Sequence, residues 1–288
     1  MKRLLLLSLT LAGVAAVPTA WVLLSDLIAV TEDSRGALSR FAGAVALAGL
    51  AGALYSTLFA RSLALSACGG RVIGTPADER DSLLLAAVAR LAEKACIPVP
   101  QVVIFRGEPN AFSAGRSRGL ALLAVSDGLL HSLGRRESEG VLAHEIAHIA
   151  NGDMVTLEML QGVLNVFVVW PALAMDALSR TLQAKTKRRR VGTTYDVTYL
   201  AGMLLFGLLA GLLVAWFSRR REFRADRLAR ELTGGHDHLT SALNRLGTLR
   251  LQGLHGLYAT AGIAGARSRV ALFASHPGFD RRIRALKG

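Results

Sequence analysis

Four stretches of the chain run apolar without a charge. Leu4 to Ser25 follows Lys2 and Arg3, and Phe41 to Ala60 stops at Arg61. Met159 to Met175 is shorter and carries Gln161, Asn165 and Pro171, while Val197 to Phe217 is the most strongly apolar. A helix of about 20 residues, rising about 1.5 Å per residue, crosses a hydrocarbon core about 30 Å thick. Three runs meet that length and Met159 to Met175 is marginal, so the pattern predicts an integral membrane protein with about four transmembrane helices. Small residues near Ala20 offer a signal-peptide cleavage site, but the run continues through Trp21 to Leu24 and a second run soon follows, which fits a retained helix better.

Between the runs the pattern changes to that of a soluble domain. DERDSLLLAAVARLAEKA has helical period and ends at Pro98 and Pro100. QVVIF and GLALLAVS read as short buried strands, joined by the turn-rich GEPNAFSAGRSRG. Ser126 is placed to cap a short helix near Asp127 to Leu133, and Glu137 to Asn151 form the next helix. The fold class expected is therefore mainly α with a small β-sheet.

Composition supports the membrane reading. Apolar residues are 52%, charged residues 19% and mean hydropathy is +0.39, more apolar surface than a soluble domain of this length buries. The net charge of +13 could signify nucleic acid. Aromatics are only 6%, however, with no basic–aromatic interleaving, and Arg61, Arg180 and Arg219 to Arg221 flank apolar runs, where basic residues orient helices. No nucleic-acid partner is expected. Lys2 and Arg3 before the first run, with Arg61 and Arg71 after the second, put both ends of that hairpin in the cytoplasm. The cluster Arg180, Lys185 and Lys187 to Arg190 between the third and fourth runs opposes a full crossing there, so a complete and an incomplete second hairpin both stay open. Cys68 and Cys96 form no CxxC pair and read as reduced thiols.

The chemistry lies in GVLAHEIAHIANGDM. His144 and His148 stand four apart and share a helix face, so both imidazoles can reach one small cation. Glu145 is the next residue round, close enough to take a proton from an attacking water; this is the physical content of HExxH. Gly140, Ala143, Ala147 and Ala150 let other elements approach the helix closely. A catalytic zinc wants three protein ligands, and SRRREFRADRLARELTG supplies Glu222 as the third. Asp226, four residues on, is placed to hold a ligand histidine through its other ring nitrogen. An ordinary charged helix with Glu–Arg pairs is the bland alternative. Since Glu222 follows the fourth run and His148 precedes the third, the chain between must leave and return to one face, with Gly207 and Gly211 as a close-packing GxxxG step. His236 and His238 face different ways on a helix and read as a loop or helix start.

EPNAFSAG, VSDGLL, VLAHEIAHIANGD, FSRRREFRAD and FASHPGFDRRI, in this order, resemble the HtpX-type membrane zinc metalloproteases, relatives of the CAAX prenyl protease. The resemblance spans residues 108 to 283 and departs at Gly278, where the family often has a second proline. It implies a zincin-like (gluzincin) catalytic domain holding one Zn2+ per chain on His144, His148 and Glu222, with Glu145 as catalytic base. His276, Arg282 and Asn110 fall on positions that could stabilise an oxyanion or place substrate; for the first two, a turn-capping role is the alternative. The implied organisation is a transmembrane hairpin over 1–62, a first catalytic part over 63–155, a second hydrophobic hairpin over 156–218 and a second catalytic part over 219–288. The implied protein is a multi-pass endopeptidase of the bacterial inner membrane, its site facing the cytoplasm. Its partners would be the lipid bilayer and misfolded or damaged membrane proteins, cut in stress-linked quality control. Composition and motifs leave the oligomeric state open. A CAAX-type processing protease and an inactive membrane scaffold are the competing readings, the second disfavoured by the intact Glu145. A transporter is disfavoured because the four runs carry no charge. An extended substrate could add to GLALLAV, read as an edge strand.

Overall fold

The structure, a computed structural model, describes residues 58–154, 193–251 and 277–287, together with residues 47, 51, 54 and 55. Leu4 to Ser25, Met159 to Met175, most of Phe41 to Ala60, the basic cluster of 180–190 and His276 lie outside the described residues. The chain divides into two compact units, Met1–Ser56 with Glu158–Val214, and Thr57–Leu157 with Ala215–Gly288. The second unit contains every site residue discussed below.

That unit is mainly helical with one small mixed sheet. Its strands are β1 (Arg71–Val72), β2 (Gln101–Phe105), β3 (Ala111–Ala114) and β4 (Leu122–Ser126), in the order β1-β2-β4-β3. β2 and β4 run parallel, and β1 and β3 pair antiparallel at the two edges. GLALLAV is therefore not an edge strand: β4 is interior, buried at all five positions. The outer place belongs to β3, which lies inside the segment read as a turn-rich connection. Four small or aromatic residues between Pro109 and Gly115 become a strand because Ala111 to Ala114 pair with Val125 to Leu122, a tertiary effect that overrides weak local preference.

The sheet has an apolar layer on each face. Val102, Ala111, Leu123 and Val125 join the larger core with the helices, while Val103, Phe105, Leu122 and Ala124 pack with Phe112 and with Ala64, Leu65 and Cys68, which lie in a helical segment over 58–68. This alternation of faces follows from the period of two in a strand.

Helix α1 (Glu79–Lys94) starts where the Asp78 carboxylate accepts the Asp81 N–H at 2.7 Å, and it buries Leu84, Val88 and Leu91 on one face. Helix α2 (Asp127–Ser132) is capped by Ser126, whose Oγ accepts the Leu129 N–H. Helix α3 (Arg135–Asn151) opens with the Glu137 carboxylate accepting the Gly134 N–H at 2.8 Å, and closes at Gly152, whose φ of 71° turns the chain left-handed. From Gly140 to Ile149 it is buried without a break, as a central helix must be. A Cβ at Gly140 would stand 2.5 Å from backbone atoms of His238 and Leu239, so glycine is what lets α5 (Asp237–Leu251) cross α3.

Helix α4 (Thr193–Thr233) has 41 residues and carries SRRREFRAD in its C-terminal part. Over the described residues alone, no helix is long and apolar enough to cross a membrane. Leu204, Leu205, Leu208, Leu209 and Leu213 of α4 are nevertheless exposed. No described residue comes within 4 Å of a Cβ placed at Gly207, so the described residues give the GxxxG step no packing partner there. Helix α6 (Phe279–Lys287) completes the unit and packs Leu286 into the core.

Candidate metal centre

One turn of α3 presents His144 and His148 on the same side, and their Nε2 atoms lie 3.1 Å apart. The Glu222 carboxylate of α4 meets them from across the core. Its Oε2 is 3.5 Å from His144 Nε2 and its Oε1 is 3.4 Å from His148 Nε2. One ligand atom from each of the three residues lies within 4.8 Å of the others, and all three side chains are buried. Two imidazole nitrogens and a carboxylate form the N and O donor set suited to a divalent transition ion such as zinc. The residues fit that group.

Each histidine is fixed through its other nitrogen. His144 Nδ1 lies 3.0 Å from Asp226 Oδ1, and His148 Nδ1 lies 2.8 Å from Asp153 Oδ2. With each Nδ1–H donated to a carboxylate, each imidazole in its neutral form keeps the Nε2 lone pair directed at the shared point. The aspartates are held in turn. Arg282 donates to both oxygens of Asp226 at 2.6 and 2.9 Å, and Arg224 donates to Asp153 Oδ1 at 2.6 Å. Arg221 donates to the Asp153 backbone carbonyl at 3.0 Å.

The electrostatics follow from that arrangement. Burial alone would push the His148 imidazole down, but the charge of Glu222 and the hydrogen bond to Asp153 outweigh it and raise it to about 9. Burial pushes Asp226 up, yet the Arg282 guanidinium and His144 hold it at about 2. Arg282 is desolvated, which lowers it, but Asp226 and Glu222 more than compensate and it is held above its ordinary range.

Glu145 is 3% exposed. Its Oε2 accepts a hydrogen bond from Ser113 Oγ of β3 at 3.0 Å. Arg282 is fully buried, its Nη1 3.6 Å from Glu222 Oε2 and its Nη2 3.3 Å from both ring nitrogens of His144. Asn110 is buried at the start of β3, where its backbone N–H donates to Ser126 Oγ and its carbonyl accepts the Ser126 N–H. His236 sits in the turn before α5, 3.2 Å from Asp237, and His238 lies near Glu139. Neither belongs to the cluster.

Sequence reasoning assigned no role at this site to Asp153, Ser113, Arg221 or Arg224. Asp153 had a readable signal: Gly152 reverses the chain just after the second histidine, which folds an acid back onto it. Ser113 had none, because its partner is set by how β3 packs on α3. A cavity of about 980 Å³ lined by Arg80, Leu84, Arg90, Leu133 and Leu142 lies apart from the cluster and shares none of its residues.

The model of peptidase family M48 matches residues 78–288. A protein named Protease HtpX homolog from Leptothrix cholodnii is 42% identical over 291 residues, covering 100% of this chain and 99% of that protein. A second, from Bordetella avium, is 41% identical over 292 residues, covering 100% and 98%. Among solved structures, Ste24p of S. mikatae is similar in fold at a TM-score of 0.59 and 16% identity, over 98% of this chain and 65% of that one. Matched by the family model from α1 onward and by curated relatives along its whole length, the chain is a metalloprotease of peptidase family M48.

Proposed function

We propose that this chain is a membrane-bound, zinc-dependent endopeptidase that cuts misfolded or damaged membrane proteins. The observation that carries the reading is the convergence of His144 Nε2, His148 Nε2 and Glu222 on one buried point beside a buried glutamate, Glu145. Zinc bound there supplies Lewis acidity toward a peptide carbonyl and brings the pKa of a water to about 7.

The chain's own residues do the rest. Glu145 takes the proton of the attacking water and passes it to the leaving amine, so no covalent acyl-enzyme is required. Asp226 and Asp153 keep the two imidazoles in the tautomer and orientation that binding needs. β3, the sheet edge whose Ser113 touches Glu145, offers backbone hydrogen bonds to an extended substrate. Such binding reads conformation more than side chains, which suits unfolded polypeptides.

The lipid bilayer is the second partner. Its support is the four apolar runs, the exposed leucines of α4 and the Arg220 guanidinium 4.8 Å over the Trp216 ring, a pairing suited to a membrane interface. The organisation proposed is two hydrophobic hairpins, over 1–62 and 156–218, flanking and splitting a catalytic domain of 63–155 and 219–288 that faces the cytoplasm of the inner membrane.

Purified full-length protein is expected to contain one zinc per chain, to lose cleavage of casein or a membrane-protein substrate with a chelator, and to regain it with zinc. Glu145→Ala is expected to keep the zinc and lose cleavage. Undiminished proteolysis by that variant would sink the reading. Labelling engineered cysteines near Lys187 from each side of the membrane decides whether the second hairpin crosses fully.

A further inference from the structure

We propose that Ser113 is a positioning residue for Glu145, through which the strand that receives substrate also fixes the group that moves the proton. The inference rests on the zinc-endopeptidase reading above and deepens it.

The register of β3 sets the geometry. The Ser126 N–H donates to the Asn110 carbonyl at 2.9 Å, which makes that pair a hydrogen-bonded one. Hydrogen-bonded and non-hydrogen-bonded pairs alternate along an antiparallel ladder. Phe112 and Ala114 then turn their backbone groups inward to β4, while Ala111 and Ser113 turn theirs to the outer edge. Among the described residues no strand lies on that outer side. Side chains alternate as well: Phe112 joins the layer with Val103 and Phe105, and Ala111 joins the core containing α3. Ser113 shares the face of Ala111, and its Oγ donates to Glu145 Oε2 at 3.0 Å.

One residue therefore faces two ways. Its N–H and C=O lie where a docked chain would pair, and its hydroxyl holds the carboxylate beside the metal ligands. A buried carboxylate held by a donor occupies one orientation, whereas a free one samples several. With Oε2 engaged by Ser113, the second oxygen is the one available for the proton. Substrate alignment and base alignment are then set by the same four-residue strand, so a chain docked out of register brings its scissile carbonyl to the wrong place for a fixed base.

The test compares wild type, Ser113→Ala, Ser113→Cys, Ser113→Thr and Glu145→Ala as zinc-loaded full-length protein in detergent, on one fluorogenic peptide, with zinc content and melting midpoint measured for each. Ser113→Ala is expected to lower kcat by about tenfold, the scale on which orienting partners act in metal sites, with KM within about twofold of wild type and zinc unchanged. Ser113→Thr keeps the hydroxyl and suits a strand, so it is expected to restore kcat to within about threefold. Ser113→Cys is close in size but a weak donor, so it falls between even if the alanine variant folds poorly. A merely structural role would move the melting midpoint or zinc content and leave kcat per zinc unchanged. Wild-type kcat in both Ser113→Ala and Ser113→Cys, or a threonine variant as slow as the alanine one, overturns the role of Ser113 alone. Zinc-loaded wild type that cleaves nothing, or Glu145→Ala that cleaves normally, overturns the endopeptidase reading and the Ser113 role with it.

Discussion

Arg282 grips Asp226 with two parallel hydrogen bonds, Nη2 to Oδ1 at 2.6 Å and Nε to Oδ2 at 2.9 Å, where neither side chain is accessible to solvent beyond a trace. The fork of a guanidinium matches the two oxygens of a carboxylate, so this pair has direction as well as charge. Its partner beyond Asp226 is His144. A residue near the C-terminus of the described chain thereby sets the aim of a candidate ligand on α3.

Breaking one side of this pair is expected to be costly. Asp226→Ala leaves the Arg282 charge buried without its partner, a loss of about 3–5 kcal/mol, and frees His144 to rotate. Zinc affinity should fall by about 10- to 100-fold. Arg282→Leu should do comparable damage, and the double substitution should cost less than the two singles combined. Thermal melts and zinc competition against a chelator measure both quantities.

The acid limb of stability carries the mark of Asp226. Its folded pKa of about 2 lies below the ordinary 3.8, so the contribution is fully present above about pH 3.8 and is lost as pH falls through about 2. The size is on the order of 2 kcal/mol. Melting midpoints of metal-free wild type should decline through that window, and Asp226→Asn should lack this part of the decline. An identical slope for both proteins would count against the linkage.

Zinc should compete with a proton at His148. In the metal-free protein its imidazole is raised to about 9, so its stabilising contribution is present below about pH 6.5 and lost as pH rises through about 9. A ligand nitrogen must be neutral. Apparent zinc affinity is therefore expected to rise about tenfold per pH unit from neutrality and to level off near pH 9. Calorimetry at pH 7 in two buffers of different ionisation enthalpy should register a proton released from this site.

Gly140 is expected to be intolerant of even one methyl group. A Cβ there meets backbone of His238 and Leu239 at 2.5 Å, and backbone cannot swing aside like a flexible side chain. Gly140→Ala should cost about 1–3 kcal/mol or more through overpacking. Gly119→Ala, where nothing lies within 4 Å, is the control, and chemical denaturation compares them.

Much of the helical part could be read from local pattern. Asp78 caps α1, Ser126 caps α2, and the apolar spacing of Leu84, Val88 and Leu91 is buried on one face. The separation of His144 and His148 by one helical turn is likewise a local property, and HExxH names it. What sequence could not give is whatever depends on pairing across the fold. β3 hides among Gly, Pro and Asn because its strand character comes from β4. GLALLAV looked like a free edge because nothing in its own letters says that AFSA lies beside it. Arg282 and Asp226 stand 56 residues apart in the chain, so no local pattern says that they pair. Ser113 and Glu145 are neighbours only after the sheet packs on α3.

The two imidazoles and Glu222 come from opposite sides of the segment Glu158–Val214, which belongs to the other compact unit. A ribosome emitting this chain therefore delivers a pair of histidines long before it delivers their third companion. Until Glu222 has emerged and folded back, the nascent polypeptide holds an incomplete set of teeth. The candidate metal site is thus complete only after the whole intervening stretch has been laid down.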